Sequence, residues 1–282
     1  MSFNCDLSYS TIYDLLILTI LVYDYGESFK LDNNETIENF VNNIDDKSTD
    51  LSETNIKLLK EIAKKSKYGK VEMFLDNPNT GLQCGITTSK INKRITLVIR
   101  GTDSVIDWYH DLMITKTEIE KDVWIHSGFY QQLHANGYFD KIINKLFLLM
   151  QEYNDYDVYI VGHSLGSALA TIAGYEISGM TNTNINVVTF GSPRVGNKLF
   201  QTNCNNKENL KIHRITNNKD IICACPMIGF KHVGINIDMT DTYIKKYIEN
   251  EYPWWRYSLF WCNKASDHYL DKYLSTLIKW KW

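Results

Sequence analysis

The feature that most constrains the fold is a short pattern between an apolar run and a small-residue run. Residues 162–166 read Gly-His-Ser-Leu-Gly, which matches G-x-S-x-G. The apolar run Val158–Val161 leads into the pattern, and Ser167–Ile177 follows it. A serine on a tight turn between a strand and a helix projects its hydroxyl above the sheet, and flanking glycines allow the close backbone approach that such a turn needs. The pattern predicts a strand–turn–helix unit with Ser164 as a candidate nucleophile.

Segments typical of strands and helices alternate along the chain, which indicates βαβ units and a mostly parallel sheet. Ile95–Ile99 is a continuous apolar run, as expected for a strand that is covered on both faces. Further strands are predicted over Val71–Leu75, Leu82–Thr88, Val187–Phe190 and Lys211–Thr216, and further helices over 129–152 and 266–278. We therefore predict an α/β fold in a single domain over residues 1–282, with a polar surface insertion at 27–50.

Leu15–Tyr23 is a long apolar stretch, but it is shorter than the roughly 20 residues of a membrane span. Asp14 and Asp24 flank it, and no lysine or arginine precedes Lys30, so it lacks the basic region of a signal peptide. We expect a core helix here, no transmembrane segment and a cytoplasmic location. The six cysteines are then expected to be reduced thiols.

The charge balance excludes some partners. The formal net charge is −3, so there is no basic excess to neutralise the phosphates of a nucleic acid. Cys223 and Cys225 form a C-x-C pattern without a second cysteine or histidine pair at ligand spacing. We predict no metal, no cofactor and no nucleic-acid partner.

A serine nucleophile needs a base and a carboxylate that orients the base. When the serine lies on such a turn, the acid follows it in the chain and the histidine comes last. The acidic candidates after Ser164 include Asp220, Asp238, Asp241, Asp267 and Asp271. Asp220 is favoured because it follows the predicted strand Lys211–Thr216, at the carboxyl edge where α/β sheets place their sites. Asp238 ends an alternating polar segment and has no such setting.

Three histidines follow Ser164 in the chain. His213 lies within a predicted strand, and His232 opens another over Lys231–Ile237. His268 begins the last predicted helix, where a preceding loop would leave its ring free, so we favour His268 as the base. Asp267 is expected to serve the start of that helix, because adjacent side chains on a helix diverge.

Acyl transfer also needs hydrogen-bond donors for the developing oxyanion. The backbone N–H of Leu165, directly after the candidate nucleophile, is one expected donor. A second donor should come from the loop after an earlier strand. Thr102 follows Ile95–Ile99 and offers both a backbone N–H and a hydroxyl.

Several segments together resemble the fungal-type class 3 lipases over about residues 60–278. They are 98–102, 124–129, 162–166, 189–196, 230–234 and 267–269. The string Phe190–Gly196 (Phe-Gly-Ser-Pro-Arg-Val-Gly) is the most specific part. The resemblance implies an α/β-hydrolase fold with Ser164 as nucleophile, Asp220 as acid, His268 as base and Thr102 in the oxyanion hole, and it favours a structural role for His232.

The resemblance also implies a lid after the oxyanion residue, which we predict over 103–121. One face of a short helix there would carry Val105, Ile106, Trp108 and Tyr109 as lid or substrate-binding residues. A permanently packed surface helix is the alternative. The C-terminal tail adds aromatic side chains that favour either a water–lipid boundary or a packed edge. They are Trp254, Trp255, Trp261, Trp280 and Trp282.

These features together predict a serine carboxylic-ester hydrolase. The leading hypothesis is a lipase that cleaves acylglycerol esters through an acyl-enzyme on Ser164, with a lipid or ester substrate met at a lipid–water interface. A phospholipase A1 or a short-chain esterase of the same fold is one alternative. A catalytically silent lipase-like binding module is another.

Overall fold

A computed structural model describes residues 7–28, 69–77, 79–101, 115–226, 228–247 and 265–280. Several predicted features lie outside these ranges. They are most of the insertion at 27–50, the candidate oxyanion residue Thr102, the lid residues Val105, Ile106, Trp108 and Tyr109, and every tail tryptophan except Trp280.

The described strands form one large sheet and one small ribbon. The strands are β1 (Lys70–Asn77), β2 (Leu82–Ser89), β3 (Arg94–Ile99), β4 (Lys116–Glu120), β5 (Val123–His126), β6 (Asp157–His163), β7 (Ile185–Phe190), β8 (Leu210–Asn217), β9 (Ile235–Met239) and β10 (Ile244–Tyr247). The eight-stranded sheet has the order β1-β2-β3-β6-β7-β8-β9-β10, and β4 pairs with β5. Neighbours from β3 to β9 are parallel, whereas the pairings at both edges of the sheet are antiparallel.

Helices cover both faces of the sheet. They are α1 (Tyr9–Ser28), α2 (Ser127–His134), α3 (Tyr138–Glu152), α4 (Leu165–Met180), α5 (Lys198–Asn206) and α6 (Leu270–Lys279). The apolar residues of α1 and α6 form one core with Val98, Val161 and Val188 on the central strands. The helices α2 to α5 form the other core with alternate residues of the same strands, such as Leu97 and Ile160. Burial on both faces explains why these strands are continuously apolar.

The N-terminal apolar stretch is a core helix, as predicted. Every residue from Leu15 to Val22 in α1 is buried. Among the described residues, no helix is long and apolar enough to cross a membrane. The described cysteines form no disulfide among the described residues, and all are buried: Cys84, Cys204, Cys223 and Cys225.

Two predicted helices differ from the observed ones. The predicted helix over 129–152 is divided into α2 and α3, because Asn136 (φ 59°) and Gly137 (φ 67°) adopt left-handed conformations that a helix cannot continue through. The last helix, predicted over 266–278, begins only at Leu270. It follows a 3₁₀ turn over Ala265–His268 and an extended residue, Tyr269 (ψ 143°).

One predicted strand starts later than expected, and the structure describes parts of two other predicted ranges. The strand predicted over Lys231–Ile237 begins only at Ile235, because Gly234 has a left-handed φ of 64°. The part of the predicted lid region that the structure describes contains β4 (Lys116–Glu120), which pairs with β5. The first two residues of the range 27–50 belong to α1.

Candidate active site

Ser164 lies on a strained turn between β6 and α4. Its backbone has φ 57° and ψ −126°, a positive-φ conformation that a residue with a side chain rarely adopts. The Ser164 N–H donates to the Phe190 carbonyl oxygen over 3.0 Å, which ties the turn to the end of β7. Strain of this kind persists when surrounding structure holds it, and it is typical of the nucleophile turn in G-x-S-x-G proteins.

The flanking glycines are required by close backbone contacts, as predicted. A Cβ atom on Gly162 would lie 2.2 Å from the Gly166 carbonyl oxygen. A Cβ atom on Gly166 would lie 2.3 Å from the Ile99 carbonyl oxygen at the end of β3. Both distances are well below van der Waals contact, so neither position can carry a side chain without moving the backbone.

Asp220 and His268 form a buried hydrogen-bonded pair. The His268 Nδ1 atom lies 2.9 Å from Oδ1 and 2.8 Å from Oδ2 of Asp220. A carboxylate can only accept, so Nδ1 carries the proton and Nε2 is left as the basic nitrogen. Asp220 also accepts from the Tyr273 hydroxyl over 2.7 Å and from the Ile222 N–H over 2.9 Å.

The hydrogen bonds keep the buried Asp220 carboxyl ionised. Burial alone would raise its pKa, because it removes water from the charged form. The charge and hydrogen bond of His268, together with the bonds from Tyr273 and Ile222, outweigh burial and lower the pKa of Asp220 below its ordinary value. The pair therefore contains a carboxylate that can stabilise a protonated imidazole.

The turn at Ser164 and the Asp220–His268 pair meet at the carboxyl ends of the parallel strands. A Cβ atom on Gly191, the residue after Phe190, would lie 2.8 Å from both Asp220 Oδ2 and His268 Cε1. Ser164 Oγ and His268 Nε2 are both buried and have no hydrogen-bond partner among the described residues. These are the two atoms that a nucleophile and its base would use, and in unliganded sites such bonds are often long.

Leu165 and the chain around Gly101 border the turn. Leu165 is the first residue of α4, so its N–H has no acceptor within the helix and lies at the positive end of the helix dipole. A Cβ atom on Gly101 would lie 2.6 Å from the His163 carbonyl oxygen and 3.1 Å from Ser164 Cβ. The residue before Thr102 therefore packs directly against the turn.

The alternative acids have other partners. Asp238 lies in β9, where it accepts from Thr216 and from the Tyr243 hydroxyl. Asp241 forms an exposed ion pair with Lys279. Asp271 lies in the first turn of α6.

Asp267 lies in the 3₁₀ turn before α6 rather than at the start of that helix, which corrects the sequence-based expectation. Its Oδ2 accepts the Lys219 N–H over 3.2 Å, and its carbonyl oxygen accepts from the Asn217 amide over 3.0 Å. These bonds fasten the segment before His268 to the loop that carries Asp220.

The two alternative histidines are both buried. His213 is buried within β8. His232 precedes β9, and its Nε2 bonds to the Cys223 carbonyl oxygen over 2.7 Å. Burial, followed by the nearby Arg214 and Arg194 charges, lowers the pKa of His232 well below its ordinary value. This imidazole is therefore neutral at pH 7 and donates from Nε2 to a backbone carbonyl oxygen.

The string Phe190–Gly196 supports the site through Arg194. The buried Arg194 guanidinium donates to the Ala224 carbonyl oxygen, and its backbone N–H donates to the Cys225 carbonyl oxygen over 2.6 Å. The string thereby holds the segment that follows Asp220. Tyr273 was not predicted as a site residue, because its apolar helix position indicates only core packing.

The fold and this site define a protein of the α/β-hydrolase fold with a serine, a histidine and an aspartate at the carboxyl edge of its sheet. The family model "Lipase (class 3)" matches residues 96–230. This match covers just under half of the chain and supports the resemblance to the class 3 lipases predicted from its motifs.

Similar proteins include lipases and a phospholipase. The chain is 30% identical over 190 residues to phospholipase A(1) DAD1, chloroplastic, of Arabidopsis thaliana, covering 59% of this chain and 42% of that protein. It is 28% identical over 162 residues to a lipase of Rhizopus niveus, covering 53% and 40% of the two chains. The match thus spans less than half of either relative. The structure of a Rhizomucor miehei triacylglyceride lipase superposes with a TM-score of 0.72 at 17% identity, covering 92% of each chain.

Proposed function

We propose that this chain is a serine carboxylic-ester hydrolase that cleaves acylglycerol esters. The observation that carries the proposal is the strained Ser164 turn beside the buried Asp220–His268 pair. A serine hydroxyl is a weak nucleophile at neutral pH and reacts when a base with an oriented imidazole takes its proton. Lipase and phospholipase A1 relatives support an ester bond in a lipid as the target.

The reaction would pass through an acyl-enzyme. Ser164 Oγ attacks the ester carbonyl carbon while His268 Nε2 takes the hydroxyl proton. The protonated His268 then gives this proton to the leaving alcohol, and the acyl group stays on Ser164. Water, deprotonated by the same nitrogen, then attacks the acyl carbonyl carbon. The bond to Ser164 Oγ breaks, His268 returns the proton to Oγ, and the fatty acid leaves. Asp220 keeps the proton on Nδ1 and stabilises the imidazolium.

The Leu165 N–H and Thr102 are proposed as the oxyanion donors. Leu165 begins α4, so its N–H is available to the tetrahedral intermediate. The contact of Gly101 with the Ser164 turn supports Thr102 as the second donor. Loss of one such donor reduces turnover by about a hundred- to a thousandfold.

The experiment for the reaction class is labelling with a fluorophosphonate, which phosphonylates activated serines. We expect wild-type protein to be labelled and Ser164→Ala to be unlabelled while still folded. Ser167→Ala is a matched control, because Ser167 is also a buried serine of α4 but its hydroxyl bonds to the Gly162 and Phe190 carbonyl oxygens. An unlabelled wild-type protein would support the silent binding module instead.

A substrate panel separates the enzyme candidates. Mono-, di- and triacylglycerols, phospholipids and short soluble esters would be compared below and above the micelle threshold. Preference for acylglycerols with a steep rate increase above that threshold supports a lipase that works at a lipid–water interface. Preference for phospholipids supports a phospholipase A1, the activity in the name of the Arabidopsis relative. Hydrolysis of monomeric esters alone supports a short-chain esterase.

The lid at 103–121 and the aromatic tail belong to the same proposal. Both would contact lipid through apolar side chains when the protein meets an interface. Trp280 is an exception that favours the packed alternative at its own position, because its indole N–H donates to the Thr240 carbonyl oxygen over 2.8 Å.

A further inference from the structure

His163 is a buried imidazole that the proposed reaction does not use. It is the last residue of β6, directly before Ser164, and is 4% exposed. Its Nε2 lies 2.8 Å from the backbone carbonyl oxygen of His268. Its Nδ1 lies 2.8 Å from the hydroxyl of Tyr23, on α1. Both nitrogens therefore connect the site to other elements of the fold.

The hydrogen bonds that link Gly101, Tyr23, His163 and His268 all run in the same donor-to-acceptor direction. Burial, then the neighbouring His268, lowers the pKa of His163 to about 3, so the imidazole is neutral at pH 7. The His268 carbonyl oxygen can only accept, so Nε2 carries the proton and Nδ1 accepts from the Tyr23 hydroxyl. The Tyr23 oxygen in turn accepts from the Gly101 N–H over 3.2 Å. A directed chain runs from Gly101 through Tyr23 and His163 to His268.

Contacts of the aromatic rings restrict the positions of the side chains in this hydrogen-bonded series. The His163 and His268 rings stack with centroids 4.5 Å apart and an interplanar angle of 30°. The Arg100 guanidinium lies 5.1 Å from the centroid of the Tyr23 ring. A Cβ atom on Gly101 would lie 2.5 Å from the Tyr23 hydroxyl oxygen, so this glycine is what allows the contact.

We propose that Tyr23 and His163 are positioning residues that hold the backbone of His268 and the chain entering residue 102 against the Ser164 turn. Neither residue is assigned a contact with substrate. The proposal rests on the proposed function, because it takes His268 as the base and Ser164 as the nucleophile. It makes α1, an N-terminal helix that carries no reacting group, a part of the catalytic architecture.

The expected consequence is a defect in the chemical step. Removing the Tyr23 hydroxyl leaves the Gly101 N–H and His163 Nδ1 without this partner, so His268 and the segment at 101 lose their common anchor. Small displacements of reacting groups reduce kcat strongly, whereas the binding of the ester depends on other surfaces. We expect kcat to fall about tenfold and KM to stay within about twofold.

The first experiment compares Tyr23→Phe with Tyr9→Phe. Tyr9 is a matched control on the same helix, because its hydroxyl donates to the Leu277 carbonyl oxygen over 3.1 Å in α6. The measurements are kcat and KM on a soluble ester, the rate of fluorophosphonate labelling, and the thermal midpoint. We expect Tyr23→Phe to slow turnover and labelling about tenfold relative to Tyr9→Phe, at similar midpoints. Equal rates in the two variants would overturn the proposal.

The second experiment compares His163→Gln with His163→Leu. The Gln amide nitrogen can replace the Nε2 donor to the His268 carbonyl oxygen, whereas Leu cannot. We expect the His163→Gln variant to turn over about tenfold faster than the His163→Leu variant, at comparable stability to urea. If the turnover rates of the two variants fall in proportion to their loss of unfolding free energy, His163 is merely structural and the proposal is contradicted.

Different experimental outcomes would contradict the proposed function and the positioning role of Tyr23 and His163. If wild-type protein is neither labelled nor active, the proposed function is wrong and this inference is wrong with it. If wild type is labelled, Ser164→Ala is not, and the Tyr23 and His163 variants keep full rates, only the positioning role is wrong.

Discussion

The hydroxyl of Tyr273 donates a hydrogen bond to Oδ2 of Asp220 over 2.7 Å, and both side chains are buried. Tyr273 lies in α6, one turn after His268, and Asp220 lies in the loop after β8. The same carboxylate oxygen is 2.8 Å from His268 Nδ1. The last helix thus supports the proposed acid, while the 3₁₀ turn before it supplies the proposed base.

Substitution Tyr273→Phe should destabilise the protein and slow catalysis. The Asp220 carboxylate would lose one of its donors, and hydrogen bonds to buried charges contribute about 1.5–3 kcal/mol. Urea unfolding and ester hydrolysis measure the two effects. Tyr175→Phe is the control, because its hydroxyl also donates to a carboxylate, that of Glu120 at 2.8 Å, outside the proposed site. Similar hydrolysis rates in both variants would contradict a role for Tyr273 in the site.

Substitution Gly191→Ala should abolish most activity. The residue has φ 62°, and its new methyl group would lie 2.8 Å from Asp220 Oδ2 and His268 Cε1. Gly81→Ala separates strain from contact, because Gly81 has φ 68° but its methyl group would meet no described atom closer than 3.8 Å. Both variants should lose about 1 kcal/mol of stability or more from the backbone. Only Gly191→Ala should lose turnover in the ester assay.

Substitution of His268 and substitution of His232 should have different effects on turnover and stability. His268→Ala should lose at least about a thousandfold in kcat with the fold retained, because it removes the proposed base for the Ser164 proton. His232→Ala should keep measurable turnover but lose about 1–3 kcal/mol of stability, because the buried Cys223 carbonyl loses its donor. Circular dichroism and ester kinetics decide between them. Activity in His268→Ala together with its loss in a folded His232→Ala would show that the base was assigned wrongly.

Acid should destabilise the protein partly through His163. Its imidazole faces His268, Asp220, Tyr23 and the Tyr273 ring, and burial is the largest cause that lowers its pKa from 6.5 to about 3. The unfolded chain binds this proton more readily, so stability is full above pH 6.5 and is lost as the pH falls towards 3. At pH 4 the loss from this group is on the order of 3 kcal/mol. Urea unfolding at pH 7 and pH 4 should show a smaller loss in His163→Gln than in wild type.

Local chemistry explains what could be predicted from the sequence. The strand β6, the strained turn and α4 are neighbours along the chain, so their apolar pattern and glycine spacing identify Ser164 without a tertiary structure. The preference for Asp220 also came from a local signal, because it follows the end of a parallel strand. Boundaries were less certain where single residues decide them. Asn136, Gly137 and Gly234 interrupt predicted elements through left-handed backbone angles that the apolar pattern does not reveal.

The βαβ order, the strained turn and a short set of candidate acids and bases can be predicted from the amino-acid sequence, because they depend on residues close together in the chain. Which of these candidates meet depends on the tertiary packing. Asp220 and His268 are 48 residues apart, and Tyr23 and His163 are 140 apart. Contacts at such separations form when α1 and α6 pack on one face of the sheet, and this packing involves the whole molecule rather than any one segment.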